Sequence, residues 1–271
     1  MYNGCADMSE YPLSVIDQMG RELILPKKPQ RIVSLVPSQT ELLFDLNLNS
    51  EVVGITKFCI HPEEWFRTKK RIGGTKQLNI ELIRELQPDL IIGNKEENEK
   101  SQIEILQKEF PVWMSDISTL EDALQMIRGI GILTSASTLA DQIVMQIKKN
   151  FKSLLKTDKK LSTLYFIWHN PNMCAGTETF IHDMLENCGL KNASPGNRYP
   201  ELTDDDIVRL NPQLILLSSE PYPFKEKHLE HFRKLLPQTQ VELVDGEMFS
   251  WYGSRLLQSP SYFNKFLAEL Q

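Results

Sequence analysis

Apolar residues recur at every fourth position through 137–156, STLADQIVMQIKKNFKSLLK, where Leu139, Ile143, Ile147 and Phe151 form a stripe that Leu154 and Leu155 extend. Asp141, Gln142, Lys148, Lys149 and Lys152 fill the opposite side. This is the spacing of an amphipathic helix with one buried face. Neither Gly nor Pro falls between Ile132 and Asn170, so nothing local breaks it. At the helical rise it spans roughly 30 Å, the width of a small domain. A helix of this kind at mid-chain is either one more surface helix of a single domain or a rod between two lobes.

The flanking patterns favour the rod. Residues 15–25 alternate as two short strands about a turn at Met19-Gly20. RIVSLV (31–36) is a nearly continuous apolar strand, as in a parallel sheet covered on both faces, and Pro37-Ser38 end it. A helix follows at 39–48, with Leu42, Leu43 and Leu46 inward. Strands at 52–55, 89–92 and 112–114 then alternate with helices at 80–86, 101–109 and 120–133. Beyond the mid-chain helix and a polar 156–160 linker the pattern restarts. Strand 164–168 comes first, then a helix over 179–188 stopped by Gly189. Helix 204–210 leads to strand 214–217, helix 224–235 to strand 240–244, and a last helix covers 254–270. Strands alternating with helices predict βα units and parallel pairing.

One stretch repeats in register. Within IELIRELQPDLII (80–92), residues 81–92 align without gaps on DDIVRLNPQLIL (205–216) at a constant offset of 124, with Pro88 over Pro212. Ile83/Ile207, Leu86/Leu210, Leu90/Leu214 and Ile91/Ile215 coincide. Any αβ corner shares some of this, but a whole matched helix-turn-strand favours a duplicated architecture. The expected division is a lobe at 12–134, a connecting helix at 135–158 and a lobe at 159–271.

Composition narrows the classes. The 271 residues are 41% hydrophobic and 24% charged, ordinary for a soluble chain with a real core. A net charge of -6 without a basic stripe argues against nucleic acid. No apolar run approaches the ~18 residues of a membrane span. The opening MYNGCADMSEYPLSV lacks the apolar core of a secretory signal, and residues 1–11 read as a loose tail. Either the protein is cytosolic or its start is trimmed. Cys5, Cys59, Cys174 and Cys188 are scattered with no CxxC pair, which predicts isolated, mostly buried thiols rather than a zinc or disulfide framework.

Catalytic motifs are absent. GGTK (73–76) lacks the phosphate-loop spacing, GIGIL (129–133) lies inside a helical pattern, and no GxSxG occurs. His228 and His231 stand i, i+3 on a charged helix and are expected to be solvated; no metal site is predicted. Nothing assembles a nucleophile with its base. In the repeat, Glu81 falls on Asp205, each in the first turn of its helix, with Asn79 and the Thr203/Asp206 pair as caps. Such acids favour the helix dipole, yet one per lobe also suits a pseudo-symmetric basic partner. The loops after predicted strands collect aromatic and amide groups: Phe58, Asn94, Trp168-His169-Asn170, Tyr199, and Phe249, Trp251, Tyr252 and Arg255 in GEMFSWYGSR. Ligands of parallel α/β sheets sit at such ends, and this set suits a broad, flat, partly apolar one.

RIVSLVPSQTELLF (31–44), VVGIT (52–56), the HP of CIHPEE, RIGGTKQLNIELIRELQPDLII (71–92) and DGEMFSWYGSRL (245–256) together resemble a known family. It is the type III periplasmic substrate-binding proteins of ABC importers, which take cobalamin, iron-siderophores or haem, and the resemblance runs from about Val15 to the C-terminus. It implies an α/β fold of two Rossmann-like lobes with mainly parallel sheets joined by a single long backbone helix. The ligand lies in the inter-lobe cleft, and each lobe presents one acid to the permease subunits; by position these acids are Glu81 and Asp205, the latter one methylene shorter than the usual Glu. Carried over as cleft positions are Ser38, Phe58, Thr75, Asn94, Tyr199, Glu247 and Arg255. The loop reading adds Trp168, Asn170, Phe249 and Trp251. Thr75 and Asn94 stand where cobalamin members stack aromatics, so the resemblance leaves the ligand open between cobalamin, haem and a ferric siderophore. It implies no resident cofactor, no metal or catalytic residues, no membrane insertion, a monomer and a periplasmic location. The alternative is a cytosolic enzyme or a corrinoid-handling or chelate-sensing protein, with Glu247, His169 and Asp183 as its recruits.

Overall fold

The computed structural model of the chain describes residues 11–155 and 160–270. Most of the expected tail, Cys5, the expected helix end at Lys156 and most of the 156–160 linker lie outside the described residues. The chain divides into two units, and the division is not contiguous. The first holds residues up to Ile117, Glu121–Ile147 and the late segment Tyr252–Arg255; the second holds Ser118–Leu120, Lys148–Trp251 and residues from Leu256 onward.

In the first unit, β1 (Leu13–Ile16) and β2 (Glu22–Leu25) form an antiparallel hairpin. Its turn uses Gly20 at φ 74°, which a residue with a side chain adopts only under strain. Then follow β3 (Ile32–Ser34), α1 (Pro37–Asp45), β4 (Val52–Ile55), α2 (Glu63–Thr68), β5 (Lys70–Arg71), β6 (Gly73–Gly74) and β7 (Gln77–Leu78). After them come α3 (Ile80–Leu86), β8 (Leu90–Asn94), α4 (Lys100–Leu106), β9 (Val112–Ser115), α5 (Leu120–Thr134) and α6 (Ser137–Lys152). The main sheet is parallel throughout, in the order β5-β4-β3-β8-β9. Every residue of β3, β8 and β9 is buried, as their unbroken apolar runs require.

The mid-chain helix differs from expectation in two respects. Its buried residues are Ala140, Val144 and Ile147, with Leu139, Ile143 and Phe151 half-buried beside them and Leu155, past the helix, exposed. The inner face is thus turned by about one residue from the predicted stripe. The cause is close packing through small residues: a Cβ built on Gly131 of α5 would lie 2.5 Å from the Ala140 Cβ. The two helices meet along that seam, so Ala140 rather than the larger Leu139 defines it. Gly129 likewise faces the Trp113 ring, which explains GIGIL as packing. The helix stops at Lys152 through i→i−3 bonds from the Ser153 and Leu154 amides to Asn150 and Phe151. It runs unbroken past the division at Ile147 and Lys148.

The second unit contains β10 (Ser162–Trp168), β11 (Asn172–Cys174), α7 (Phe180–Asn187), β12 (Lys191–Asn192), β13 (Glu201–Leu202), α8 (Asp204–Leu210) and β14 (Leu214–Ser218). It continues with α9 (Glu226–Leu235), β15 (Gln240–Val244), α10 (Gly246–Ser250) and, after Tyr252–Arg255, α11 (Ser259–Glu269). Its sheet runs β13-β11-β10-β14-β15, with β12 also on β10. The pairs β10/β12, β10/β14 and β14/β15 are parallel; β11 joins antiparallel. The expected single helix over 254–270 is two pieces, a 3₁₀ turn at Ser254–Leu257 and then α11. Pro260 accounts for the break, because it lacks an N–H and fits a first helical turn.

The predicted repeat is present in the fold. α3 and α8, and β8 and β14, keep the offset of 124 at all four pairs of ends. Both helices end on a left-handed residue, Gln87 at φ 43°, ψ 60° and Asn211 at φ 44°, ψ 58°. The Asn79 side chain caps α3, and Thr203 with Asp206 forms a capping box on α8. β8 lies between β3 and β9 as β14 lies between β10 and β15. Two α/β lobes with mainly parallel sheets are therefore borne out. No helix of the described residues is long and apolar enough to cross a membrane.

The Gly131–Ala140 seam yields a test. Gly→Ala inside a helix ordinarily gains about 1 kcal/mol from propensity. Here Gly131→Ala is expected to lose about 1–3 kcal/mol by overpacking, read from urea denaturation, with partial recovery on adding Ala140→Gly. A more stable single variant would contradict the seam.

Candidate functional site

The candidate residues lie mainly in loops at the carboxyl ends of the two sheets, and burial separates those that present side chains from those that hold the loops. In the first unit, β3 runs into α1, and Ser38 in its first turn is buried, its hydroxyl without a hydrogen-bond partner among the described residues. The returning segment Tyr252–Arg255 packs on this turn. Gly253 is required there, since a Cβ would lie 2.3 Å from the Ser38 carbonyl oxygen. Arg255 then grips Glu41 with its fork, Nε at 3.1 Å and Nη2 at 2.7 Å. The two side chains are only 10% and 15% exposed. Burial pushes the Glu41 carboxyl above its usual pKa, and Arg255 opposes the shift. Arg255, expected to meet a ligand, thus has its carboxylate-binding geometry engaged by the protein itself.

Phe58, past β4, is 52% exposed; its ring rests against Gly74, and the Lys57 Nζ lies 5.0 Å from its centroid. Thr75 is half-buried in the β6–β7 turn, where its carbonyl accepts from Asn98 Nδ2 at 3.1 Å. Asn94 is only 2% exposed. Its Oδ1 accepts from the Glu96 and Glu97 amides at 2.8 and 3.1 Å, and its Nδ2 donates to Ser115 Oγ at 2.9 Å. The Asn94 amide thus shapes the turn out of β8.

In the second unit, Trp168 at the end of β10 is 41% exposed and meets Tyr222 edge to face at 5.6 Å. Asn170 is exposed at φ 57°, and Tyr199 is half-buried beside the Arg198 guanidinium. Glu247 is half-buried in α10, its amide donating to the capping Asp245. Phe249 is fully buried, with its ring 5.2 Å from Tyr165 and 4.6 Å from Phe263. Trp251 is 6% exposed, and its Nε1 donates to Glu220 Oε1 at 2.8 Å. Both were expected at the ligand and both are interior. The reason is local: α10 is one short turn packed against α7 and α11, and its Phe249 ring meets Tyr262, Phe263 and Phe266 of α11.

Glu220 was not anticipated. Burial pushes its carboxyl pKa up and the nearby Glu247 and Asp245 add to this, while hydrogen bonds from Ser250 and Trp251 oppose it. His228 was expected in solvent, yet it is 5% exposed as the third residue of α9. Burial pushes its pKa down, and the neighbouring His169 adds to the shift. His231 turns instead to Asp204, 3.3 Å away. Among the described residues no three His, Cys, Asp or Glu side chains form a metal cluster. Cys59, Cys174 and Cys188 are buried thiols. The spacing of Lys225 and His228 at cap and third helical residue was the available signal for His228; Glu41, inside PSQTEL, carried none beyond the motif.

The matched acids differ in their surroundings. The Glu81 side chain is 78% exposed and pairs with Arg84, which also holds Glu109. Asp205 is exposed between two engaged neighbours, Asp204 on His231 and Asp206 in the capping box with Arg209. The Asp205 side chain has no hydrogen bond or ion pair with the described residues. The recruits of the enzymatic alternative have other tasks. Asp183 accepts from the Leu120 amide at 2.8 Å, and His169 sits among Tyr222, Phe224 and His228.

Against known families, residues 32–237 match the Periplasmic binding protein family. The chain belongs to that family. This periplasmic binding protein is 28% identical over 218 residues to an uncharacterized ABC transporter substrate-binding lipoprotein, YvrC, of Bacillus subtilis, covering 76% of this chain and 69% of the relative. It is 22% identical over 254 residues to the vitamin B12-binding protein of Pectobacterium atrosepticum, with 90% of each chain covered. Among solved structures it is similar to the molybdate periplasmic binding protein MolA of Haemophilus influenzae, with a TM-score of 0.79, 17% identity, and 95% and 92% of the two chains covered. The resemblance read from PSQTEL and NIELIRELQPDLII is borne out, and the family is one of binding proteins rather than enzymes.

Two interior groups can be tested. Arg255→Ala leaves Glu41 buried and unpaired, and should cost about 3–5 kcal/mol, seen as a lower melting temperature and urea midpoint. Unchanged stability with lost ligand affinity would return Arg255 to the ligand. Glu220→Gln keeps an acceptor for Trp251 and Ser250 while removing a buried charge. Because the folded Glu220 pKa is raised from 4.5, its contribution is fully present below that pH and lost as pH rises through the folded value. The variant should therefore melt above the native protein at pH 7 and converge with it at acid pH. A lower melting temperature at pH 7 would contradict this.

Proposed function

We propose that this protein is the non-catalytic substrate-binding component of an ABC importer. It captures a cobalamin-like ligand or a metal chelate, haem or a ferric siderophore, and delivers it to the membrane permease. The observation that carries the reading is the pair of exposed acids, Glu81 and Asp205, on two helix-strand frames that match at all four pairs of ends. A dipole role alone requires no such equivalence, whereas two related permease subunits with basic contacts do. Asp205, with no internal cation, is the readier of the two to meet an arginine. Glu81 must exchange Arg84 for its partner, a small cost because the pair is exposed.

The first unit offers Phe58 and Thr75 to the ligand. The second offers Trp168, Asn170, Tyr199 and Glu247. Half-exposed aromatics with few polar groups suit a large, partly apolar chelate better than a small anion. The protein acts outside the cytoplasm, as a monomer and without a resident cofactor.

Titration with cobalamin, haem and ferric siderophores should give saturable quenching of tryptophan fluorescence by one of the three. Quenching by none of them refutes the ligand class. Glu81→Lys with Asp205→Lys should abolish binding to the permease in lipid nanodiscs and leave ligand affinity unchanged. Permease binding that survives both reversals refutes the docking assignment.

A further inference from the structure

Tyr222 and His228 form a pair whose proton positions follow from their surroundings. The Lys225 amide N–H lies 2.8 Å from Nδ1 of His228, closer than the Lys225 carbonyl oxygen at 3.2 Å. A backbone N–H can only donate, so Nδ1 is an acceptor and the proton of the neutral ring is on Nε2. Nε2 is 3.1 Å from the Tyr222 hydroxyl. The imidazole therefore donates and the phenol oxygen receives. The proton of the Tyr222 hydroxyl is left without an acceptor among the described residues.

That proton is held in a rigid frame. Phe224 packs on the Tyr222 ring at 4.9 Å, and His169 lies 5.7 Å from it, fixed by Asn172 at 3.0 Å. Trp168, the exposed neighbour of Tyr222, stands at the carboxyl end of β10, and Tyr222 stands in the loop after β14. These are the adjacent ends of two paired parallel strands, where such sheets bind ligands.

We propose that Tyr222 is a ligand-binding hydrogen-bond donor and His228 its positioning residue. The group taken is an acceptor, a carboxylate or an amide carbonyl, on the rim of a flat conjugated ring lying against Trp168. This rests on the reading of the protein as a chelate-binding component. Haem carries carboxylates and cobalamin carries amides, so the two sources share the chemistry and differ in charge. Protonating His228 places a second donor against the Lys225 N–H, with His169, Lys225 and Lys227 as the surrounding titratable or cationic groups. Acid therefore removes the Lys225 contact that holds the imidazole in place against the phenol.

The test titrates the full chain with hemin and with cyanocobalamin at pH 7.5 and pH 5. Tyr222→Phe should weaken binding about tenfold for an amide acceptor and on the order of a hundredfold for a carboxylate. His228→Gln keeps an acceptor at the third helical position. It should retain the native melting temperature, weaken binding as Tyr222→Phe does, add nothing to that variant, and lose the acid-side drop in affinity. Native-level affinity in Tyr222→Phe, additive effects of the two changes, or an Nδ1–H tautomer of His228 by ¹⁵N NMR would each overturn the proposal. A native protein that binds neither ring also overturns the proposal, and one that binds no ferric siderophore either overturns the functional reading beneath it.

Discussion

Each unit depends on one central parallel strand, β8 in the first and β14 in the second, hydrogen-bonded along both edges and covered on both faces. A buried backbone tolerates no unpaired amide, so these strands can be entered and left only at their ends. The helix before each strand closes on a left-handed residue, followed at once by proline, and that corner sets where the strand begins. The carboxyl ends are what remains for presenting side chains. Exposed Phe58 and Trp168 lie at such ends, while the acids Glu81 and Asp205 lie at the start of the preceding helices.

Holding those loops still requires interior anchors, and much of the chemistry that looks functional serves this end. The Glu41–Arg255 pair fastens a segment more than two hundred residues away in sequence onto α1. Asn94 closes the turn after β8, and Glu220 collects Trp251 and Ser250 beneath the loop after β14. Each places a polar group in low dielectric, where an imperfect geometry is costly and a satisfied one is rigid. The exposed aromatics can then be large without being floppy, because they stand on loops already fixed from below.

The parts legible in the sequence were those with long-range regularity. The matched corner was read to the residue in its helices, because an apolar period, a cap and a proline all coincide there. The buried strands were found within one or two residues wherever they were continuous apolar runs. Short elements such as α2, α10, β6–β7 and β11–β13 were missed, since two to six residues carry no period. Side-chain direction was harder. Phe249 and Trp251 have the composition of a binding loop, and only the one-turn helix α10 decides that they face inward. Leu139 and Ala140 are adjacent, and the choice between them as the centre of α6 rests on Gly131 in another helix. His228 was misread because charged neighbours suggested solvent, although its spacing from Lys225 already fitted a cap.

On the proposed function, the chain holds a large chelate without transforming it. Native mass spectrometry of the protein after incubation with cobalamin, hemin and ferric siderophores measures this directly. A one-to-one complex carrying the unaltered mass of one of these ligands is expected. The bare protein mass with all three, or a chemically changed ligand, would contradict it.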